Sequence, residues 1–491
     1  MTGRAIMVQG TCSDAGKSLL VAGLCRAALN RGMRPAPFKP QNMSNNAAAC
    51  DCGGEIGRAQ ALQARACGLA PHPDMNPVLL KPQSDRSAQL ILRGKVVGEQ
   101  LAADFGAQAS LLPEVLGSFA RLTAAHDIVI VEGAGSPAET NLRARDIANM
   151  GFARAANVPV LLAGDIDRGG VIAALVGHHA VMDAGDRAQV IGFCINRFRG
   201  DPSLFDAGLA DIATRTGWRS FGMVPWLPAA ARLPAEDAVA LERPAQARPG
   251  AGLRIAVPML PRIANFDDLD PLRADPGTEV TFIPPGRPLP RDADIIVIPG
   301  TKSTLADLAF LRHQGWDIDI LAHVRAGGRV LGICGGYQML ARRIEDPLGI
   351  DGAPGAADGL GLLDIDIVMA PDKTVRPVAA VCARGGDLIR GYEIHSGRAA
   401  GPGLSRPFAL IDGRPEGATS PDGRVEGVHL HGLFTADGFR DAWLARAGAQ
   451  TAGSFNFDAS IEDALNDVAA GLEAAMDLNA LFSAARRPLM V

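Results

Sequence analysis

Five short runs in the first 227 residues leave little choice of fold: AIMVQG (Ala5–Gly10), DIVIVEGAG (Asp127–Gly135), VPVLLAGDI (Val158–Ile166), QVIGFCINRF (Gln189–Phe198) and SFGMVPW (Ser220–Trp226). They are apolar at nearly every position and feed loops at their C-terminal ends. A strand with one wet face alternates apolar and polar residues, whereas one that is apolar throughout is buried on both faces. Between these runs lie helical patterns such as Lys17–Arg31 and Val171–Met182. Buried strands separated by helices predict a parallel sheet covered on both sides.

The alternation stops at LPAAARLPAEDAVALERPAQARPGAG (Leu227–Gly252), rich in Ala and Pro and without a strand pattern. It resumes with LRIAVPML, ADIIVIPG and GGRVLGIC, so a second α/β domain is expected to begin near Gly252. The chain has 491 residues, too many for one ordinary core. The expected division is 1–227 and 252–445, joined by a linker over 228–251, with a helical tail over 446–491. In that tail, SIEDALNDVAAGLEAAMDLNALF has helical spacing and is expected to pack on a domain.

GTCSDAGKS (Gly10–Ser18) joins the first strand to the first helix. Five residues separate Gly10 from Gly16, one more than in the usual phosphate loop. Backbone N–H groups and a helix N-terminus still face an anion there. The candidate nucleotide ligands are Gly10, Thr11, Asp14, Gly16, Lys17 and Ser18. Lys17 would reach the terminal phosphates and Ser18 would hold Mg2+. Glu132 ends a buried strand of the same sheet and is a second candidate for Mg2+, while Lys39, in PFKPQN, offers another ammonium to a transferred phosphoryl group.

In the second domain, LGICGGYQ crowds three glycines around Cys334 between a strand and a helical pattern. That is a nucleophile elbow with sulfur in place of oxygen, and the helix N-terminus behind it favours a thiolate. A thiolate nucleophile needs a base and an oxyanion site. EGVHLHGLF supplies His429 and His431, between which spacing does not choose, and Gly300 of IPGTKST offers backbone to an oxyanion. Cys25, Cys67 and Cys194 lie in apolar-periodic segments and read as core residues, and the scattered cysteines suit reduced thiols.

The longer loop, FKP and VEGAG together resemble the dethiobiotin-synthetase type of nucleotide fold, whose members phosphorylate carboxylates. That resemblance implies that Asn196, in FCINRF, reads adenine. Cys334 in its elbow and the HG after Leu430 resemble the class I glutamine amidotransferase domain, which releases ammonia through a cysteinyl thioester. The match implies His431 as the base. The carboxylate usual two residues after that His is Leu433 here, an absence shared by the cobyrinate-type branch, and what orients the imidazole stays open. The fold class is thus an α/β phosphate-loop domain followed by an α/β amidotransferase-like domain.

Over both domains, the stretches PFKPQNMSNN, EIGRAQALQA, MNPVLLKPQSD, VEGAGSPAETNLRARDIANMG, GDIDRGGVIAAL, NFDDLDPL, PGTKST and GYEIHSGR resemble the cobyric acid synthase family in family order. NNAAACDCGG departs from the more usual polar form of its loop. The resemblance implies ATP- and glutamine-dependent amidation of the b, d, e and g carboxylates of adenosylcobyrinic acid a,c-diamide, with Mg2+, in the cytoplasm. Asp146 is a candidate for Mg2+ or substrate placement and equally for a helix cap, Asp165 and Asp167 for a metal-proximal or capping place, and Arg168 for a substrate carboxylate. Tyr392 and His395 are expected to shape the glutamine domain. The expected partners are the corrinoid, glutamine and ATP, with a homodimer left open. A net charge of −5 speaks against a nucleic-acid surface, and no apolar run is long enough for a membrane span. The related a,c-diamide synthase and a partitioning-type switch protein are the rival readings; the loop pattern disfavours the first and the intact Cys334/His431 pair the second.

Overall fold

The computed structural model describes residues 3–83, 87–101, 109–235, 252–449 and 455–489. The first domain is built on a six-stranded parallel sheet in the order Arg219–Pro225, Val190–Phe198, Val160–Asp165, Arg4–Gly10, Ile128–Glu132, Pro35–Phe38. Alternate residues of its central strand enter opposite cores. Ala5 and Met7 join one cluster with Phe38, Phe119 and Phe152, while Ile6 and Val8 join the other with Leu20 and Leu24. The expectation of a sheet covered on both faces is met. The first helix, Lys17–Asn30, and the later Val171–Val181 helix lie within a residue of their sequence-derived limits.

The second domain has its own sheet, ordered Thr278–Ile283, Leu253–Pro258, Ile295–Ile298, Arg329–Ile333, Val425–Val428, Ala418–Thr419. Its strands are parallel apart from the last pair. Ala256 and Ile296 face one core and Ile255, Val257 and Val297 the other. A long antiparallel hairpin, Asp366–Cys382 with Leu388–Ala400, carries Tyr392 into register with His431.

Most of the expected linker, residues 236–251, lies outside the described residues. The tail helix Phe457–Ala475 crosses back to the first domain. Ile461, Leu465, Ala469 and Leu472 enter the same core as the Lys17–Asn30 helix. Arg26 pairs with Glu462 and Arg31 with Glu473 along its flank. Gly23 is the close approach: a Cβ there would meet Leu472 at 2.6 Å and Val468 at 2.8 Å.

Between the strands Pro35–Phe38 and Ile128–Glu132 the chain makes an excursion. It contains the hairpin Ala47–Cys50/Gly54–Gly57, the helix Arg58–Ala66 and a sheet of Gln41–Met43, Val78–Pro82, Ser87–Leu92 and Lys95–Leu101. This excursion docks on the second domain: Ala47, Leu79 and Ile91 pack with Tyr392 and Ile394. Buried Glu55 is clasped by Lys81 of its own domain and Lys373 of the other. No helix among the described residues is long and apolar enough to cross a membrane.

Candidate active site

Parallel strands deliver functional groups at their C-terminal ends, and here they do so twice. In the first domain, Gly10, Glu132, Asp165 and Asn196 all stand at that edge. Gly16 takes a left-handed conformation (φ 83°) and starts the Lys17–Asn30 helix, a turn that favours glycine. The Lys17 ammonium lies 2.9 Å from the Cys12 carbonyl, 3.0 Å from Ser13 and 3.1 Å from Gly135. Carbonyls of the loop itself, together with that of Gly135, therefore hold the Lys17 ammonium.

Glu132 is fully buried and gathers the candidates. Its Oε1 accepts Ser18 Oγ at 2.8 Å and Lys39 Nζ at 2.7 Å. Its Oε2 accepts Gln63 Nε2 at 2.5 Å. Gln60 Nε2 stands at 3.5 Å, its own Oε1 held by Asn42. Sequence reasoning missed both glutamines, although their i, i+3 spacing in EIGRAQALQA places them on one helix face. Gln63 Oε1 and Gln9 Oε1 are buried without a hydrogen-bond partner among the described residues. The unsatisfied Gln63 Oε1, on a side chain that meets both Glu132 and Ser18, suits the hydration shell of a divalent cation, so the residues present fit Mg2+.

The remaining candidates of this domain have partners of their own. Asn196, expected at adenine, donates its amide to the Ala15 carbonyl at 2.8 Å and so braces the phosphate loop. Asp146 accepts the N–H groups of Ala148, Asn149 and Gly151 with both oxygens, the geometry of a cap. Asp165 accepts Asp167 N–H and pairs with Arg197 at 3.0 Å, and Asp167 pairs with Arg199. Arg168 meets Asp14 at 3.0 Å on the surface. Thr11 is anchored through its N–H to Ala163.

In the second domain the strand Arg329–Ile333 runs into Cys334, which holds φ 50° and ψ −108° as the N-cap of Gly335–Met339. A non-glycine residue at positive φ is strained, and the surroundings must hold it there. They do so through close packing: a Cβ on Gly336 would lie 2.0 Å from the Ile298 carbonyl oxygen. The Cys334 sulfur is 3.6 Å from the Ile394 carbonyl and close enough to His431 to favour its imidazolium.

The two histidines separate because the strand breaks between them. His429 turns to Glu416 at 3.1 Å and stacks on His395 at 4.0 Å. His431 places Nδ1 2.7 Å from Asp268 Oδ2, and Asp268 Oδ1 accepts the Gly432 N–H at 2.6 Å. Asp268 thus orients the imidazole, the role left open by Leu433. The sequence carried no local sign of it. Asp268 lies in NFDDLDPL, 163 residues from its partner. Burial works against the imidazolium, but the Asp268 carboxylate and the Cys334 sulfur outweigh it and lift His431 to about 10. Tyr392 stacks on the ring at 5.4 Å, and Gly300 is close enough that a Cβ there would stand 3.2 Å from His431 Cε1. A thiol, an imidazole, a buried carboxylate and a nearby strand-end glycine form a set suited to acyl transfer.

Residues 6–240 match the CobQ/CobB/MinD/ParA nucleotide binding domain, and residues 254–439 match the CobB/CobQ-like glutamine amidotransferase domain. Over 483 residues the chain is 63% identical to the cobyric acid synthase of Paracoccus denitrificans, covering 98% of this chain and 100% of that one. It is 62% identical over 491 residues to that of Hyphomonas neptunium, covering 99% of each. With that of Brucella suis biovar 1 the identity is 59% over 483 residues, 98% of this chain and 100% of that one. A phosphate loop, a cysteine elbow and near full-length similarity of this order lead to one assignment: the chain belongs to the cobyric acid synthase family of glutamine-dependent amide ligases.

Proposed function

We propose that this chain amidates the b, d, e and g carboxylates of adenosylcobyrinic acid a,c-diamide, giving adenosylcobyric acid with ammonia drawn from glutamine. The observation that carries the reading is the excursion between Pro35–Phe38 and Ile128–Glu132. It begins at Lys39, beside Glu132, and packs against Tyr392 and Ile394, beside His431 and Cys334. An ammonia source and a phosphoryl-transfer site thereby share one buried boundary.

In the glutaminase half, the Cys334 thiolate attacks the glutamine carboxamide. Backbone at Gly300 stabilises the oxyanion, and His431 protonates the departing ammonia. Water, deprotonated by His431, then hydrolyses the thioester to glutamate. In the ligase half, residues 10–18 hold the ATP phosphates, with Lys17 and Lys39 neutralising charge on the transferred group. The substrate carboxylate takes the γ-phosphoryl group to give an acyl phosphate and ADP. Ammonia attacks that carbonyl and phosphate leaves. Ser18, Glu132 and Gln63 would hold Mg2+, which supplies charge neutralisation at the phosphates when bound. Ammonia is a nucleophile only while unprotonated, so an internal route between the two domains would favour its transfer over release into water.

The test is a mass-resolved time course with adenosylcobyrinic acid a,c-diamide, MgATP and amide-labelled glutamine. Four labelled nitrogens should enter stepwise. Cys334→Ala should abolish incorporation from glutamine and retain it from free ammonia. Amidation of the undecorated diacid precursor instead would assign the chain to the a,c-diamide activity.

A further inference from the structure

One short helix touches both sites. Gln60 and Gln63 of Arg58–Ala66 reach Glu132 of the nucleotide site, as described above. At the helix start, Arg58 Nε lies 2.9 Å from Asp267 Oδ2 of the other domain. Asp267 is the neighbour of Asp268, which holds His431. The Arg58 N–H donates to the Asn46 carbonyl, and Asn46 Oδ1 accepts the Asn265 N–H at 2.7 Å. Asn265 in turn donates to Tyr392 Oη at 3.0 Å, and Tyr392 stacks on the His431 ring. The loop holding the imidazole is therefore tied to the first domain at Arg58 and Asn46, two points on one backbone segment.

That loop is not self-sufficient. Asn265 adopts a left-handed conformation (φ 52°), and Asp267 and Asp268 are like charges side by side, each about 2% exposed in its side chain. Among the described residues, Asp267 Oδ1 has no hydrogen-bond partner. A buried pair of adjacent carboxylates needs a cation, and the cation that reaches Asp267 comes from the ligase domain.

Resting on the two-site reading above, we propose that Arg58 is a positioning residue for glutamine hydrolysis: through Asp267 it seats Asp268 against His431, and its helix links that seat to Glu132. Ligands that rearrange Gln63 at Glu132 shift the helix that carries Arg58. The glutaminase then works best when the ligase site is loaded, which limits loss of ammonia to solvent. Distinct arrangements of one rigid element, biased from both ends, are the physical requirement for such coupling.

The experiment measures glutamate release by the full-length protein with and without Mg2+ and an imido-bridged, non-hydrolysable ATP analogue. Wild type should be stimulated about 5- to 150-fold, the usual span of coupling between two sites. Arg58→Gln should bring that ratio to near one and lower kcat with KM for glutamine little changed, while Arg58→Lys should restore part of both. Ammonia-dependent amidation by the same variants reports whether the ligase domain is folded. Arg58→Gln combined with Asp267→Asn should cost no more than either change alone. Wild-type rates that ignore the analogue, a preserved ratio in Arg58→Gln, or additive losses in the double variant would each overturn the proposal. Full glutamate release by Cys334→Ala would instead overturn the assignment of the dyad, so the two failures are told apart.

Discussion

The charged form of His431 is favoured by two residues that its own segment does not contain, the Asp268 carboxylate and the Cys334 sulfur. Its imidazolium is favoured by Asp268 at 2.7 Å, and its folded value, about 10, lies above the ordinary 6.5. A raised value in a cationic acid adds stability that is complete below about pH 6.5 and is lost as pH rises through about 10. Asp268→Asn keeps the shape and removes the charge, so the imidazolium should lose its proton at lower pH. The alkaline limb of glutamine hydrolysis should move down, and kcat should fall by about 10²- to 10⁴-fold, as for other orienting carboxylates. A pH–rate profile checks both. At the other site, Lys39→Met leaves Glu132, fully buried, without the ammonium that pairs with it at 2.7 Å. Amidation should drop about 10²-fold or more with either glutamine or ammonia as nitrogen source, measured as corrinoid product formed.

At the scale of elements, local pattern carried far. The Lys17–Asn30 helix was readable because a glycine-rich turn precedes an apolar-periodic stretch, and the cysteine elbow because glycines crowd Cys334. Gly336 shows why those glycines are there. A methyl group at this position would sit 2.0 Å from the Ile298 carbonyl, closer than any rotamer can relieve. Gly336→Ala should therefore open the elbow and remove glutamine-dependent amidation, while ammonia-dependent amidation persists, assayed with each nitrogen source in turn. The hairpin Ala47–Cys50/Gly54–Gly57 was not legible in the same way. Its run of alanines has weak strand preference, and its place is decided by Asn265 and Tyr392 of the other domain.

At the scale of the molecule, the tail helix Phe457–Ala475 stabilises the first domain. Leu472 is fully buried against the Lys17–Asn30 helix. Leu472→Ala should cost about 2–5 kcal/mol. The loss should appear in the transition that MgATP protects, read from urea denaturation with and without nucleotide. What the sequence determined by itself was everything carried by neighbours along the chain: two buried parallel sheets, a phosphate-binding turn, a strained cysteine, and a family resemblance spread over both halves. Tertiary structure alone decided that Asp268 holds His431, that Gln63 reaches Glu132, and that the tail returns to the first domain. The physical reason is that these pairings join residues 163, 69 and more than 400 positions apart. A periodic apolar face states that a helix will be covered, and a buried carboxylate states that it will be paired. Only the closed fold supplies the partner.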